Sequence, residues 1–125
     1  MSSENLHAPR ERLTRDTLLL HHAIVSVMEE LEAIDWYRQR ADDTEDETLK
    51  QLLLHNMREE MEHASMVLEW IRRHDADFAG HMKTYLFTEA PILEIEETKT
   101  AAEAGGGPAT PRKRPGFTIG SLREG

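Results

Sequence analysis

An all-α fold follows from three features of the sequence. Two long stretches carry apolar residues at alternating steps of three and four, period-two alternation is missing, and Val and Ile are sparse. The expected architecture is two long antiparallel helices plus a short C-terminal helix, completed as a four-helix bundle by dimerisation.

Residues 1–13 read as a flexible N-terminus. The first helix begins between Pro9 and Asp16 and runs to about Ala41, where the periodic pattern gives way to Asp42 and Asp43. Its apolar seam is Leu20, Ala23, Val27, Glu30, Ile34, Tyr37 and Ala41, with one carboxylate among apolar neighbours. Thr44-x-x-Glu47 reads as a capping box that opens the second helix. That helix has the seam Leu49, Leu53, Asn56, Glu60, His63, Val67 and Trp70, and it ends in Arg72, Arg73 and His74, whose charge suits a helix C-terminus. A short acidic connection between two long helices makes an antiparallel hairpin. Asp75 is placed to cap a third helix, roughly Ala76 to Phe87, weakened by Gly80 and ended by Pro91. Residues 14–91 are thus the expected folded part.

The rest changes character. Residues 92–115 read as a flexible linker: an acidic stretch through Glu103, then Gly105-Gly106-Gly107-Pro108, the basic run Arg112-Lys113-Arg114, and Pro115. Residues 116–125 carry Phe117, Ile119 and Leu122 at the end of that tether, either as an unconstrained terminus or as a docking peptide.

Composition narrows the chemistry. With no cysteine, disulfides, thiolate metal sites and Cys nucleophiles are excluded, leaving carboxylate and imidazole ligands, which suit iron, manganese or zinc. A net charge of -9 argues against nucleic acid as partner and favours the approach of small cations. A mean hydropathy of -0.62, with no long apolar run, gives no membrane span. The N-terminus has no apolar segment of a secretory signal, so a cytoplasmic origin is expected.

The chemistry-bearing feature is Glu60-Met61-Glu62-His63. A Glu-x-x-His pair puts both side chains on one helical face, about 5–6 Å apart at Cβ. Such a pair is common on solvated helices. Here it falls on an apolar seam and is matched by Glu30 on the neighbouring seam, and a carboxylate buried without a partner is costly. Two inward carboxylates and an imidazole imply a cation between them. Di-iron carboxylate bundles use one Glu from each of two helices and a Glu-x-x-His from each of two others, and this chain holds half of that set. A second copy related by two-fold symmetry supplies the missing half and covers the open seam, so the site is expected at a subunit interface.

Other candidates leave two readings open. Glu29, Glu32 and Trp36 lie on an adjacent face, to guide metal ions or as plain solvated surface. His55, Glu59 and Glu62 lie at i, i+4 and i+7, as a weak outer cation site or a solvated stripe. Trp36 and Tyr37 serve as donors near Glu30 or as packing. His7, His21, His22, His74 and His81 have no carboxylate constellation.

Three segments resemble the encapsulated ferritins, ferritin-like cargo proteins of encapsulin nanocompartments: Ser26-Val27-Met28-Glu29-Glu30-Leu31-Glu32-Ala33-Ile34-Asp35-Trp36-Tyr37, His55 to Ala64, and Thr84-Tyr85-Leu86-Phe87-Thr88-Glu89. The resemblance implies a ferroxidase that oxidises Fe(II) to Fe(III) with dioxygen at a di-iron centre across a dimer interface. Glu30, Glu60 and His63 are then the ligands from each protomer, and Tyr37 lies beside the centre. Glu29, Glu32 and Trp36 mark a metal access route, which also admits calcium or another divalent cation, and His55, Glu59 and Glu62 mark a peripheral site. It further implies a ring of five dimers, with iron stored by the encapsulin. Thr118-Ile119-Gly120-Ser121-Leu122-Arg123 looks like that family's targeting peptide, with Phe117 and Ile119 in place of Leu and Val. The alternatives are a non-enzymatic metal-binding cargo or adaptor and a peroxide-consuming di-metal protein.

Overall fold

The computed structural model describes residues 5–105, and all regular structure among them is helical. A 3-10 turn at Arg10–Arg12 precedes α1 (Arg15–Asp43), α2 (Glu47–His74), α3 (Ala76–Tyr85) and α4 (Ile92–Gly105). The chain divides after Ile71 into two compact units, the first holding α1 and most of α2 and the second α3 and α4. No described helix is long and apolar enough to cross a membrane.

In the first unit, Thr14 caps α1 by accepting a hydrogen bond from the Thr17 amide at 3.1 Å. The helix stops at Thr44, whose amide donates to the Arg40 carbonyl. The expected capping box is not what opens α2. Thr44 Oγ1 instead accepts from the Asp46 amide at 3.2 Å, and Asp46 Oδ1 accepts from the Leu49 amide at 2.8 Å. Asp46 is therefore the cap, because its short carboxylate reaches the orphan N–H, while Glu47 turns outward to accept from Gln51 Nε2 at 2.8 Å.

The two helices run antiparallel. Leu19, His22, Ala23 and Ser26 line a groove with Met66, Val67 and Trp70, whereas Glu30, farther along α1, meets Glu60 and His63, farther back on α2. All seven expected seam residues of α1 are buried or half-buried. Of the seven expected α2 seam residues, Leu53, Asn56, Glu60, Val67 and Trp70 are half-buried, while Leu49 and His63 are exposed. The fully buried residues of α2 are Met57, Ala64 and Ile71, at heptad spacing beside that seam. Ile71, 1% exposed, contributes about 1.5–3 kcal/mol by the area it removes from water.

The second unit starts where Asp75 Oδ1 accepts from the Phe78 amide at 2.8 Å, the cap the sequence announces. α3 ends at Tyr85, two residues short of expectation, and Phe87 follows with φ 62. This left-handed value normally selects glycine, and the Phe87 side chain is fully exposed.

Residues 92–105 are helix, not linker. Pro91 begins α4 instead of closing the fold: its carbonyl accepts from the Glu94 and Ile95 amides. Ile92–Gly105 is rich in Glu and Ala, which lose little or no rotamer freedom in a helix, and Lys99 Nζ pairs with Glu103 at 3.1 Å one turn on. α3 and α4 touch. Thr84 and Lys99 are the buried residues described there, while Phe78, Leu86, Ile92 and Leu93 are exposed. Burial raises the Tyr85 phenol pKa, with the carboxylates of Glu96 and Glu103 adding to it. The remaining linker and the segment from Phe117 to Arg123 lie outside the described residues.

Candidate metal centre

Glu30, Glu60 and His63 converge. One donor atom from each lies within 4.8 Å of the others, and among the described residues this is the set of three that does so. α1 places Glu30 on its seam between Val27 and Ile34, and α2 places Glu60 on its inward line one turn from Ala64, whose small side chain lets the helices approach. His63, on the same face at i+3, reaches in from the edge. Its Nδ1 stands 3.2 Å from Glu60 Oε1 and 3.8 Å from Glu30 Oε1. The side chains are 25%, 23% and 48% exposed for Glu30, Glu60 and His63, so the cluster is shielded by the hairpin on one side and open on the other.

The electrostatics fit a cation site. The Glu30 carboxyl is pushed up by its hydrogen bond with Glu60, with burial and the Glu60 charge adding to the shift. Glu60 moves down because that same hydrogen bond, and the one from His63, stabilise its carboxylate against the burial that opposes them. The two carboxyls are therefore coupled, Glu30 favouring its protonated form and Glu60 its charged form. His63 is pushed up by its hydrogen bond with Glu60 and by the charges of Glu30, Glu60 and Glu59, against a smaller opposing effect of burial. A divalent cation between Glu30 and Glu60 would compensate both carboxylates at once. Two carboxylates and an imidazole are also oxygen and nitrogen donors of the kind that iron, manganese or zinc takes.

Other expected residues are not gathered. Glu29, Glu32 and Trp36 are exposed along α1, and Trp36 and Tyr37 follow Glu30 by roughly 9–11 Å of helix rise. His55, Glu59 and Glu62 are all exposed on α2, and their donor atoms do not form a set of three within the distance that joins Glu30, Glu60 and His63. Sequence reasoning missed Arg40. Its guanidinium carbon lies 5.8 Å from the Trp36 ring centroid and 5.7 Å from that of Tyr37, a contact signalled by the rings standing four and three residues before the arginine.

The EncFtn-like family pattern matches residues 5–89, which contain every residue of this cluster. The chain belongs to the EncFtn-like family. It is 52% identical over 126 residues to an encapsulated ferritin-like protein of Rhodospirillum rubrum, covering 98% of this chain and 90% of that one. A ferritin-like protein of Thermotoga maritima is 45% identical, over 89% of this chain and 98% of the relative. The encapsulin nanocompartment cargo protein EncC of Myxococcus xanthus is 36% identical over 94% of each. In three dimensions the chain is similar to the crystal structure of protein ne0167 from Nitrosomonas europaea, with a TM-score of 0.68 and 49% identity over 70% of this chain and 97% of that one. EncFtn-like membership and the helical architecture thus agree with the family the sequence resembles.

Proposed function

We propose that this EncFtn-like chain is an iron-handling cargo of an encapsulin shell and a ferroxidase, oxidising Fe(II) to Fe(III) with dioxygen as electron acceptor. The observation that carries the reading is the convergence of Glu30, Glu60 and His63 from two antiparallel helices. The names of the relatives, encapsulated ferritin-like protein and encapsulin cargo protein, support the shell and the iron. Iron is the substrate: each Fe(II) loses one electron, and four Fe(II), one dioxygen and four protons give four Fe(III) and two waters.

What the protein supplies follows from the cluster. Glu30 and Glu60 offer anionic oxygens, which favour the higher charge of Fe(III) over Fe(II). His63 offers Nδ1, the nitrogen that faces both carboxylates. Three donors from one chain are half of a di-iron set, and the open side of the cluster suits a second copy related by two-fold symmetry. Two irons held there, roughly 3.5–4 Å apart, would be positioned to pass electrons to one acceptor. The four-helix bundle is then made of two hairpins, with Tyr37 beside the centre and Glu29, Glu32 and Trp36 on the path of incoming cations. His55, Glu59 and Glu62 serve at most as an outer site. The segment around Phe117, Ile119 and Leu122 docks to the shell, inside which a ring of such dimers resides in the cytoplasm.

Oxygen consumption on adding Fe(II) to the full chain tests the enzymatic part. Uptake of dioxygen that tracks Fe(III) formation and exceeds the autoxidation of free iron is expected. Iron binding without oxygen uptake above that background would instead make the protein a metal-holding cargo.

A further inference from the structure

Arg40 lies on α1 one turn beyond Trp36 and Tyr37, and its guanidinium carbon stands 5.8 Å and 5.7 Å from their ring centroids. In a chain with a net charge of -9, an arginine two and three residues before Asp42 and Asp43 would be expected to take a carboxylate. It does not: among the described residues its side-chain partners are the two rings. Asp35, one turn before Gln39, is held by the Gln39 amide at 3.0 Å. Glu29, Trp36 and Arg40 follow one another at i, i+7 and i+11, one line along the helix, and Glu32 precedes Trp36 by one turn. The acidic line therefore ends in an indole capped by a guanidinium.

We propose that Arg40 is a positioning residue that stacks on Trp36 and Tyr37, holds the indole beside Glu29 and Glu32, and thereby sets how fast divalent cations reach Glu30, Glu60 and His63. This rests on the proposed reading of that cluster as a metal site and of Glu29, Glu32 and Trp36 as the path to it. Trp36 is 48% exposed, so the hairpin alone leaves its ring free to swing across the acidic line. The flat guanidinium satisfies the electron-rich faces of both rings at once, which a lysine ammonium on its flexible stem does not reproduce.

The chain has two tryptophans, so Trp70→Phe leaves Trp36 as the sole indole and serves as parent. Arg40→Ala and Arg40→Lys are made in it as full chains, with helicity checked by circular dichroism. Acrylamide quenching of Trp36 emission reads indole freedom, and stopped-flow mixing with Co(II) alone reads cation arrival. Both variants are expected to quench more readily and to take up Co(II) more slowly by about two- to fivefold, the worth of one exposed cation–π contact, with equilibrium Co(II) affinity preserved. If Arg40 acted through charge alone, Arg40→Lys would match the parent and Arg40→Ala would bind Co(II) faster; either result overturns the proposal, as does unchanged quenching in Arg40→Ala. A parent that binds no more Co(II) than its Glu60→Ala variant overturns the metal reading and the proposal together. That outcome is distinct from a parent that binds Co(II) at the same rate as Arg40→Ala.

Discussion

Glu30 Oε1 on α1 stands 3.8 Å from His63 Nδ1 on α2, so the hairpin is bridged at this level by ionisable groups that a cation can join. Glu60 completes the group at 3.2 Å from the same nitrogen. Everything proposed for this chain depends on that meeting of two helices.

Replacing any one of the three donors should abolish most of the iron chemistry. Glu30→Ala, Glu60→Ala and His63→Ala are each expected to lower the rate of Fe(II) oxidation by about a hundredfold, because a symmetric site loses two ligands with each change. Absorbance of ferric product against time measures it. Rates like the parent's in all three variants would remove these residues from the site.

Metal should draw protomers together. A cation bound between two chains stabilises the dimer by mass action, so native mass spectrometry should show the dimer fraction rising with added Fe(II) under anaerobic conditions. The same titration on Glu60→Ala should leave the distribution unchanged.

The raised pKa values of Glu30 and His63 fix a direction with pH. Each group binds its proton more tightly in the fold than in the unfolded chain, so its contribution is present at low pH and lost as pH rises past 4.5 for Glu30 and past 6.5 for His63. Glu60, lowered, works oppositely, and its contribution is lost as pH falls below 4.5. With chelator present, the melting temperature should therefore decline modestly from pH 5.5 to pH 8, both partners being partly exposed. Divalent cation affinity should rise over the same interval as protons cease to compete. Affinity that falls with pH would contradict the proton-for-metal exchange.

Core packing gives an independent check. Ile71→Ala removes the largest fully buried side chain described, and denaturant unfolding should show a loss of about 2–5 kcal/mol. The donor cluster, several turns away on α2, should keep its Co(II) affinity in the variant that remains folded.

Ending the chain at Pro115 should separate chemistry from packaging. Coexpressed with an encapsulin, that truncation is expected to leave ferroxidase activity in the soluble pool and the shells empty, since Phe117, Ile119 and Leu122 would each add up to about 1.5–3 kcal/mol if fully buried in shell pockets. Normal loading of the shortened chain would return the tail to an unconstrained terminus.

Much of this was legible in the sequence, and the failures share causes. The α1 seam read correctly because Val27 and Ala41 leave no rival face. On α2 two neighbouring lines are both partly apolar, and periodicity alone cannot choose between Leu49–Asn56–His63 and Met57–Ala64–Ile71. The burial of Met57, Ala64 and Ile71 decides, and His63 lies at the edge. α4 was missed because Pro91 and the density of glutamates resembled a linker; a proline just before a helix is favoured, and Glu96 and Glu103 flank Lys99 at helical spacing. Thr44 and Glu47 had the capping-box spacing, yet Asp46 sits at the register that reaches the open amide. Arg40 went unread because an arginine among aspartates looks like a surface ion pair.

The shared site is tested most directly by anaerobic titration of the full chain with Fe(II), followed by exposure to air. Fast absorbance growth should saturate at about one iron per chain, two irons divided between two protomers, before slower turnover sets in. An iron-loaded monomer that oxidises iron at the full rate, or saturation at about two irons per chain, would contradict a centre that two copies complete.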